Sequence, residues 1–342
     1  MAGLYSVSIL KPRLKRRLSG CFNVLKDKSY QLIVILGPTA SGKSSLALFL
    51  AKRYGAQIVN ADSMQIYRQM QIGTAKPSAK EREQIKHHMF DVVSVNEQYS
   101  AAQFVKDASE CIDSLILKNI PIILVGGTGL YVDSLLYSYD FKQIESDPNY
   151  RYQLEQLAKQ KGNLAVYNLL SQTDPDAAAR LHPNDVKRVI RALEVFKATG
   201  NSITKMQNRS DKPKYKSYFI GLDYRKRENL YSIINDRVDQ MIEAGLVSEA
   251  KGLLDSKIEL SKTAKTAIGY QEMFDYLNGD ITLQQAADKI KQRTRNYAKR
   301  QLTWFRKSND INWYYPDDYQ NREQMFKAVC EKLDNFFEVL MQ

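Results

Sequence analysis

The segment GPTASGKS, residues 37–44, constrains the fold of this chain more than any other part of its sequence. It follows Leu32–Leu36, a short apolar run with β-branched residues, of the kind found in buried parallel strands. After it, apolar residues recur on one face of a predicted helix: Leu46, Ala47, Leu50 and Ala51. Gly55 is placed to end that helix. A strand, a glycine-rich turn and a helix in this order predict a phosphate-binding P-loop.

Two further strands are predicted, and each runs directly into a polar or glycine-rich turn. Gln57–Asn60 leads to Asp62, and Pro121–Val125 leads to Gly126–Gly129, with a helix over about 101–118 between them. Strands that alternate with helices at these spacings predict a parallel sheet. The expected fold class is therefore α/β, a P-loop parallel doubly wound sheet flanked by helices, whose ligands gather at the carboxyl ends of the strands.

The pattern changes in residues 139–210, where charged helical segments replace strands, and we predict a helical insertion domain there. Residues 31–138 and 211–342 then form the P-loop core with its C-terminal helices. Within the second part, residues 216–223 (KSYFIGLD) predict a returning strand. The remainder is expected to be helical, with a long helix over about 282–307.

The first thirty residues are basic and hold a single acid, Asp27. Their cations are Lys11, Arg13, Lys15, Arg16, Arg17, Lys26 and Lys28. Such a composition resembles an organelle transit peptide, and a disordered basic arm or an upstream start codon also accounts for it. We predict that residues 1–30 are a disordered basic extension and leave these alternatives open.

The net charge, the hydrophobic content and the number of cysteines limit the classes of protein to which this chain can belong. Lys and Arg total 50 against 38 acids, a net charge of +12, which suits a polyanionic partner such as nucleic acid but also occurs in many basic proteins without one. The 44% hydrophobic content excludes a disordered chain. Three widely spaced cysteines predict a reducing compartment with neither a disulfide framework nor a zinc site. The apolar runs are too short to cross a membrane.

The predicted P-loop assigns a phosphate-binding role to eight residues: Gly37, Pro38, Thr39, Ala40, Ser41, Gly42, Lys43 and Ser44. Backbone N–H groups and the helix N-terminus bind phosphate oxygens, Lys43 adds a positive charge, and the Ser44 hydroxyl is placed to bind Mg²⁺. P-loop nucleotidases usually have a second apolar strand that ends in an acid. Here Ile122–Val125 ends in glycines and the nearest carboxylate is Asp62, which favours a pyrophosphate leaving group, although some P-loop kinases share this arrangement.

Six sequence blocks occur in one order along the chain: GPTASGKS, NADSMQIY (60–67), GTAKP (73–77), VGGTGLY (125–131), HPNDVKRVIRALEV (182–195) and YAKRQLTWFR (297–306). Together they resemble the tRNA dimethylallyltransferase family, also called tRNA isopentenyltransferases, of bacterial type. The resemblance extends from about residue 31 to 315. Eukaryotic relatives often carry a C-terminal zinc finger, for which this sequence has no set of cysteines and histidines.

The resemblance implies transfer of a dimethylallyl group from dimethylallyl diphosphate to the exocyclic amine of the adenosine just 3′ of the anticodon, in tRNAs that read codons beginning with U. Asp62 matches the catalytic aspartate that would take a proton from the amine, and supporting the metal is its alternative role. Thr128 matches a threonine that hydrogen-bonds the bridging oxygen. Arg237 and, as a weaker candidate, Lys76 would contact the diphosphate, with Mg²⁺ held by Ser44 and phosphate oxygens.

The resemblance also implies two tRNA-contacting segments: Asp62, Ser63, Met64 and Gln65, and Lys187, Arg188, Val189, Ile190 and Arg191. The long C-terminal helix adds a face of alternating cations and aromatic rings: Arg293, Tyr297, Arg300 and Trp304. Such a face suits phosphate contact and base stacking, but its aromatic residues also fit a core beside which the cations snorkel. Thr266 stands where the family usually has Gln or Arg, so a direct tRNA contact is not expected there, and His87 and His88 are expected to be structural.

Two other functions are compatible with parts of the sequence. If the chain were a small-molecule P-loop kinase, the phosphate loop would be accounted for. The HPNDVKRVIRALEV block and the cation-aromatic face of the long C-terminal helix would not be. A non-enzymatic RNA-binding protein explains the basic charge but requires neither Lys43 nor Asp62. Under the transferase hypothesis, the partners are the tRNA anticodon stem-loop and dimethylallyl diphosphate, and the cofactor is Mg²⁺. The protein is then expected to be a cytoplasmic monomer that does not associate with a membrane.

Overall fold

The computed structural model describes residues 31–137, 147–206 and 212–340. The predicted N-terminal extension, 1–30, lies outside the described residues. The chain divides into two compact units: the helical unit, residues 137–213, and the sheet unit, which comprises the chain up to residue 136 and from residue 214. No helix within the described ranges combines the length and the apolar character that crossing a membrane requires.

Six parallel strands form the sheet of the described chain, which confirms the predicted fold class. In chain order they are β1 Leu32–Leu36, β2 Gln57–Asn60, β3 His87–His88, β4 Ile122–Val125, β5 Ser217–Leu222 and β6 Ile311–Tyr314. Their order across the sheet is β3-β2-β4-β1-β5-β6. The carboxyl ends of β2, β4 and β1 therefore lie side by side, as the P-loop hypothesis requires.

The helices of the sheet unit pack around this sheet and extend beyond it. Before the helical unit they are α1 Lys43–Tyr54, α2 Ala79–Gln84, α3 Ala101–Leu117 and α4 Gly129–Leu136. After it come α10 Arg227–Glu243, α11 Leu246–Asp255, α12 Lys262–Lys265, α13 Tyr270–Leu277, α14 Leu283–Phe305 and α15 Arg322–Leu340, with a 3-10 turn at Pro316–Asp318. The long predicted helix is α14, which begins at a Thr282 capping box.

The core explains why the phosphate loop is held rigidly. The apolar face of α1 is buried against β1, β4 and β5, and Leu46 and Leu50 are completely inaccessible to solvent. Val329, Leu333 and Phe337 of α15 complete the same cluster. Burying a side chain of this size contributes about 1.5–3 kcal/mol, so several such contacts anchor the helix that follows the P-loop.

The helical unit has its own core. Its helices are α5 Pro148–Lys161, α6 Asn163–Thr173, α7 Pro175–Ala178, α8 Val186–Thr199 and α9 Ile203–Met206. Leu154, Val166, Leu170 and Leu193 form the centre of this cluster. That this unit contacts tRNA stays a prediction.

Two strands were not predicted from the sequence. The expectation of helix alone after residue 223 is wrong, because Ile311–Tyr314 forms the edge strand β6 beside β5. Its four residues, INWY, include a polar asparagine and are too short for a periodic pattern. His87 and His88 form the other edge strand, β3, where the His88 ring nitrogen lies 2.7 Å from the Gln57 side-chain oxygen.

Candidate active site

One cavity of about 1040 Å³ in the sheet unit is lined by Asp62 and by most of the predicted phosphate-loop residues, and Thr128 follows the lining residue Gly127. It lies at the carboxyl ends of β1, β2 and β4, as expected for a parallel α/β sheet. Its lining includes Lys43, Ser44, Asp62, Gly127, Arg237 and Gln301. Four of these come from loops that follow strands or from the start of α1, and the other two, Arg237 and Gln301, come from α10 and α14.

The phosphate loop has the backbone conformation that anion binding requires. Ala40 and Gly42 both have positive φ, 64° and 92°, which turns the chain so that successive amides face one side. No side chain caps the N-terminus of α1, so the N–H groups of its first turn are available to an anion. The Lys43 ammonium donates to the Pro38 carbonyl at 2.5 Å, which holds it across the loop.

Lys43, Asp62 and Arg237 form an electrostatic cluster inside the cavity. Burial lowers the pKa of Lys43 to about 7, against the opposing effect of the Asp62 carboxylate, and the Arg237 guanidinium lowers it further. Burial also lowers the pKa of Arg237, again with Asp62 opposing. Two partly buried cations thus interact electrostatically with a single carboxylate. A buried charge without a partner is costly, so this cluster favours an incoming anion.

Asp62 is held by the turn that follows β2. Its amide donates to the buried Asn60 side-chain oxygen at 3.1 Å, and Asn60 in turn donates to the Met89 carbonyl at 3.0 Å. The Asp62 Oδ1 atom accepts the Met64 amide at 2.9 Å. Within the described part of the chain, Oδ2 has no hydrogen-bond donor, so this second oxygen is the one available to a substrate.

Thr128 joins the turn after β4 to the turn after β2. Its amide donates to the Ala61 carbonyl at 3.2 Å, and its hydroxyl oxygen accepts the Ser63 amide at 3.0 Å. The hydroxyl proton points to the Ser63 Oγ at 3.2 Å. Thr128 and Asp62 therefore occupy adjoining turns, and the Thr128 hydroxyl must rotate before it can donate to another acceptor.

Gln301 is a site residue that sequence reasoning missed. It reaches from α14 into the cavity, where its side-chain oxygen accepts the Thr39 amide of the P-loop at 2.8 Å and its nitrogen donates to the Gly127 carbonyl at 2.9 Å. A Cβ on Gly127 would lie only 2.2 Å from that nitrogen, which explains the glycine. The sequence holds one indication of this role: Gln301 lies one helical turn after Tyr297 on α14, and so on the same face of that helix.

Lys76 lines the cavity but is already paired within the protein. Its side chain is almost completely buried, and its ammonium forms an ion pair with Asp91 at 2.6 Å and donates to the Tyr67 carbonyl. Burial lowers the pKa of Lys76, with the Asp91 carboxylate opposing. Lys76 therefore neutralises the half-buried Asp91 carboxylate, and its predicted contact with the diphosphate stays a prediction.

The four residues of the predicted RNA-binding face of α14 differ in their surroundings. Arg293 pairs with Glu272 and donates to the Gln271 side chain at 2.8 Å, and the Trp304 indole donates to Asp133 at 2.7 Å. Burial raises the pKa of Tyr297, whose hydroxyl hydrogen-bonds with Thr128 and Gln301 inside the active site. Arg300 is exposed and lies 5.7 Å from the centre of the Tyr297 ring. Of the four residues, Arg300 is the one placed to meet a phosphate.

In the helical unit, the residues of the predicted tRNA-contacting segment 187–191 differ in solvent exposure. Lys187 and Arg188 are exposed, whereas Val189 and Ile190 are buried in the core of the unit. Their side chains hold α8 in place, so the prediction that they contact tRNA is corrected to a packing role. Arg191 is half-exposed and lies 3.6 Å from the buried Glu194 carboxylate.

The sequence of this chain is similar to one protein-family model and to several individual proteins. The family model described as IPP transferase matches residues 65–308, more than half of the chain. A tRNA dimethylallyltransferase of Caldanaerobacter subterraneus subsp. tengcongensis is 44% identical over 306 residues, 89% of this chain and 97% of that protein. One of Alkaliphilus oremlandii is 45% identical over 311 residues, 91% of this chain and 99% of that protein.

Solved structures give the same result. A full-length tRNA isopentenylpyrophosphate transferase from Bacillus halodurans matches with a TM-score of 0.66 and 39% identity, covering 92% of this chain and all of that chain. A eukaryotic dimethylallyltransferase acting on tRNA matches with a TM-score of 0.73 and 31% identity, covering 88% of this chain and 78% of that chain.

The position of Gln301 predicts a specific effect on anion binding. Replacing Gln301 with leucine leaves the Thr39 amide and the Gly127 carbonyl without their partner and loosens the P-loop. We expect the Kd for pyrophosphate, measured by calorimetry, to rise by about tenfold, equivalent to about 1.4 kcal/mol. Gln292→Leu, on the exposed face of the same helix, is the control. Equal Kd values for the two variants would contradict the role of Gln301.

The lowered pKa of Lys43 predicts that pyrophosphate binding depends on pH. Below pH 7 Lys43 is protonated before pyrophosphate binds, and above pH 7 it is neutral. A bound anion raises the pKa of the ammonium, so binding above pH 7 is accompanied by uptake of a proton. Relative to Lys43→Arg, which stays charged, wild-type Kd should rise by up to about tenfold per pH unit above 7.

The check is calorimetry in two buffers of different ionisation enthalpy, which measures proton uptake directly. Uptake should approach one proton at pH 8.5 in the wild-type protein and be absent at pH 6. The arginine variant corrects for the ionisation of pyrophosphate itself. Parallel pH profiles for wild-type and Lys43→Arg would rule out a titrating lysine in the site.

Proposed function

Because this chain belongs to the IPP transferase family, whose curated relatives are tRNA dimethylallyltransferases, we propose that it transfers a dimethylallyl group from dimethylallyl diphosphate to the exocyclic amine of an adenosine in tRNA. Transfer of a dimethylallyl group to tRNA follows from the family. The acceptor that we propose is the adenosine immediately 3′ of the anticodon, in tRNAs that read codons beginning with U. The observation that carries the proposal is the cluster of Lys43, Asp62 and Arg237 at the P-loop.

The reaction forms one bond and breaks one. The adenine amine attacks the first carbon of the dimethylallyl group, the bond from that carbon to the bridging oxygen breaks, and diphosphate leaves with the electron pair. The amine is a weak nucleophile because its lone pair is delocalised into the ring, so a base that takes its proton assists bond formation. The free Oδ2 atom of Asp62 supports this assignment, since Oδ1 is occupied by the Met64 amide.

Diphosphate is the anion that the P-loop would hold. The uncapped backbone amides at the N-terminus of α1 would bind its oxygens, and the partly buried cations Lys43 and Arg237 would offset the charge that develops as it leaves. Thr128 would rotate its hydroxyl from Ser63 to the bridging oxygen. Tyr297, in contact with Thr128 and Gln301, would keep that threonine in place.

The donor atoms present also fit Mg²⁺. The Ser44 hydroxyl lines the cavity, and Mg²⁺ characteristically takes one or two protein oxygens and completes its shell with phosphate oxygens and water. The described residues contain no cluster of three or more acidic, histidine or cysteine ligands, which suits an ion that is bound mainly through the substrate. When bound, Mg²⁺ would neutralise charge on the leaving diphosphate.

The anticodon stem-loop is the proposed RNA partner. Chemistry on the amine requires that the adenine leave its stack, and unstacked loop bases are the usual targets of sequence-specific RNA recognition. Asp62–Gln65 would face the flipped base. Arg300 of the sheet unit and Lys187, Arg188 and Arg191 of the helical unit would contact phosphates. A cytoplasmic monomer stays a prediction from the sequence.

Replacing Asp62 with asparagine tests the proposed base. The amide keeps the Oδ1 contact to Met64 but cannot take a proton, so we expect the single-turnover rate to fall by about 10²–10⁴-fold. Mass spectrometry of tRNA nucleosides, after incubation with dimethylallyl diphosphate and Mg²⁺, measures the product. Asp255→Asn, an exposed acid paired with Lys251, is the control.

Two outcomes would contradict the proposal at different levels. Near-full turnover of Asp62→Asn at saturating substrate would exclude the base role but leave the reaction intact. If the wild-type protein adds no dimethylallyl group to adenosine, the proposed acceptor itself is wrong.

A further inference from the structure

Glu249 of α11 holds a loop that is distant in sequence. Its carboxylate accepts three consecutive backbone amides, from Gln71 at 2.8 Å, from Ile72 at 3.0 Å and from Gly73 at 3.2 Å. Three adjacent amides that converge on one group form an anion-binding concavity of the kind that usually holds phosphate. Here the anion is a side chain of the same protein, so the contact serves to fix the loop.

Tyr270 supports the same contact from α13. Its hydroxyl donates to the Glu249 Oε1 atom at 2.5 Å, and its ring is completely buried. The ring occupies the space where a Cβ of residue 73 would lie, only 2.5 Å away, so Gly73 is required for the close approach. Glu249 and Tyr270 together hold the first part of the loop 71–75 against α11 and α13.

The loop in turn orients Gln65. The side-chain nitrogen of Gln65 donates to the Thr74 carbonyl at 2.9 Å and to the Ala75 carbonyl at 3.3 Å. Only the NH₂ group of an amide can donate to two carbonyls, so this contact fixes which end of the amide is the oxygen. In the described part of the chain no donor reaches that oxygen. Gln65 lines the cavity and thus offers a fixed hydrogen-bond acceptor.

We propose that Glu249 is a positioning residue for tRNA binding, acting through the loop 71–75 on the side-chain amide of Gln65. The acceptor oxygen of Gln65 would then receive an N–H group of the target base or of its neighbour. This inference rests on the proposed function, in which Asp62–Gln65 faces the RNA. Glu249 itself contacts neither substrate.

Glu249→Gln is the direct test. An amide in place of the carboxylate has a single acceptor oxygen, and its NH₂ group meets the backbone donors, so the loop loses at least one of its hydrogen bonds. We expect the KM for tRNA to rise by about tenfold, with the KM for dimethylallyl diphosphate unchanged. General electrostatics predicts the opposite sign, because removing a negative charge from an RNA-binding protein tightens binding.

Glu243→Gln is the matched control, since Glu243 is an exposed acid at the end of α10. It removes the same charge without touching the loop, and its KM for tRNA should stay equal to or slightly below that of the wild-type protein. Tyr270→Phe provides a second variant with a smaller risk of misfolding. It keeps the ring and loses only the hydroxyl, so we expect a rise of about threefold.

A double-mutant cycle separates positioning from general stability. In a Gln65→Ala background, Glu249→Gln should raise the KM for tRNA by less than about twofold, because the residue through which it acts is gone. Independent, multiplicative effects of the two changes would overturn the proposal, as would a Glu249→Gln variant that behaves like Glu243→Gln. Absence of dimethylallyl transfer by the wild-type protein would instead refute the proposed function, so the two failures are distinguishable.

Discussion

The proposed chemistry depends on two partly buried cations, Lys43 and Arg237, that interact with one carboxylate at the carboxyl edge of the sheet. Lys43 and Arg237 are both desolvated, and Asp62 compensates only part of their charge. Such a cluster costs free energy until an anion enters. The parallel order of β2, β4 and β1 makes the cluster possible, because it brings three turns to the same edge. In the proposed reaction, binding of the leaving group and activation of the acceptor would therefore take place within one site.

Helices that follow the sheet in sequence hold those turns in position. Gln301 of α14 connects the P-loop to the turn after β4, and Glu249 of α11 fixes the loop on which Gln65 depends. Both are polar residues that bind backbone groups, and neither has a charge pattern that would single it out. The C-terminal half of the sheet unit is thus part of the active site as well as a possible surface for RNA.

Much of this architecture was accessible from the sequence, and the rest was not, for physical reasons. The P-loop, β2 and β4 have strong local signals, since apolar strand patterns run into glycine or acidic turns. The pairing of Lys76 with Asp91 could not be predicted, because an ion pair between these two residues depends on tertiary structure. Val189 and Ile190 lie within a basic segment, yet helical periodicity turns them into the core. Gln301 was missed because its partners are backbone groups remote in sequence.

The central claim is that the P-loop holds a leaving diphosphate and not a nucleotide. The most direct measurement is a rapid-quench reaction with dimethylallyl diphosphate labelled on carbon and phosphorus, with purified tRNA and Mg²⁺ and without nucleotides. The account predicts one intact diphosphate released for each dimethylallyl group found on adenosine. A requirement for ATP or GTP, or release of orthophosphate in step with transfer, would contradict it.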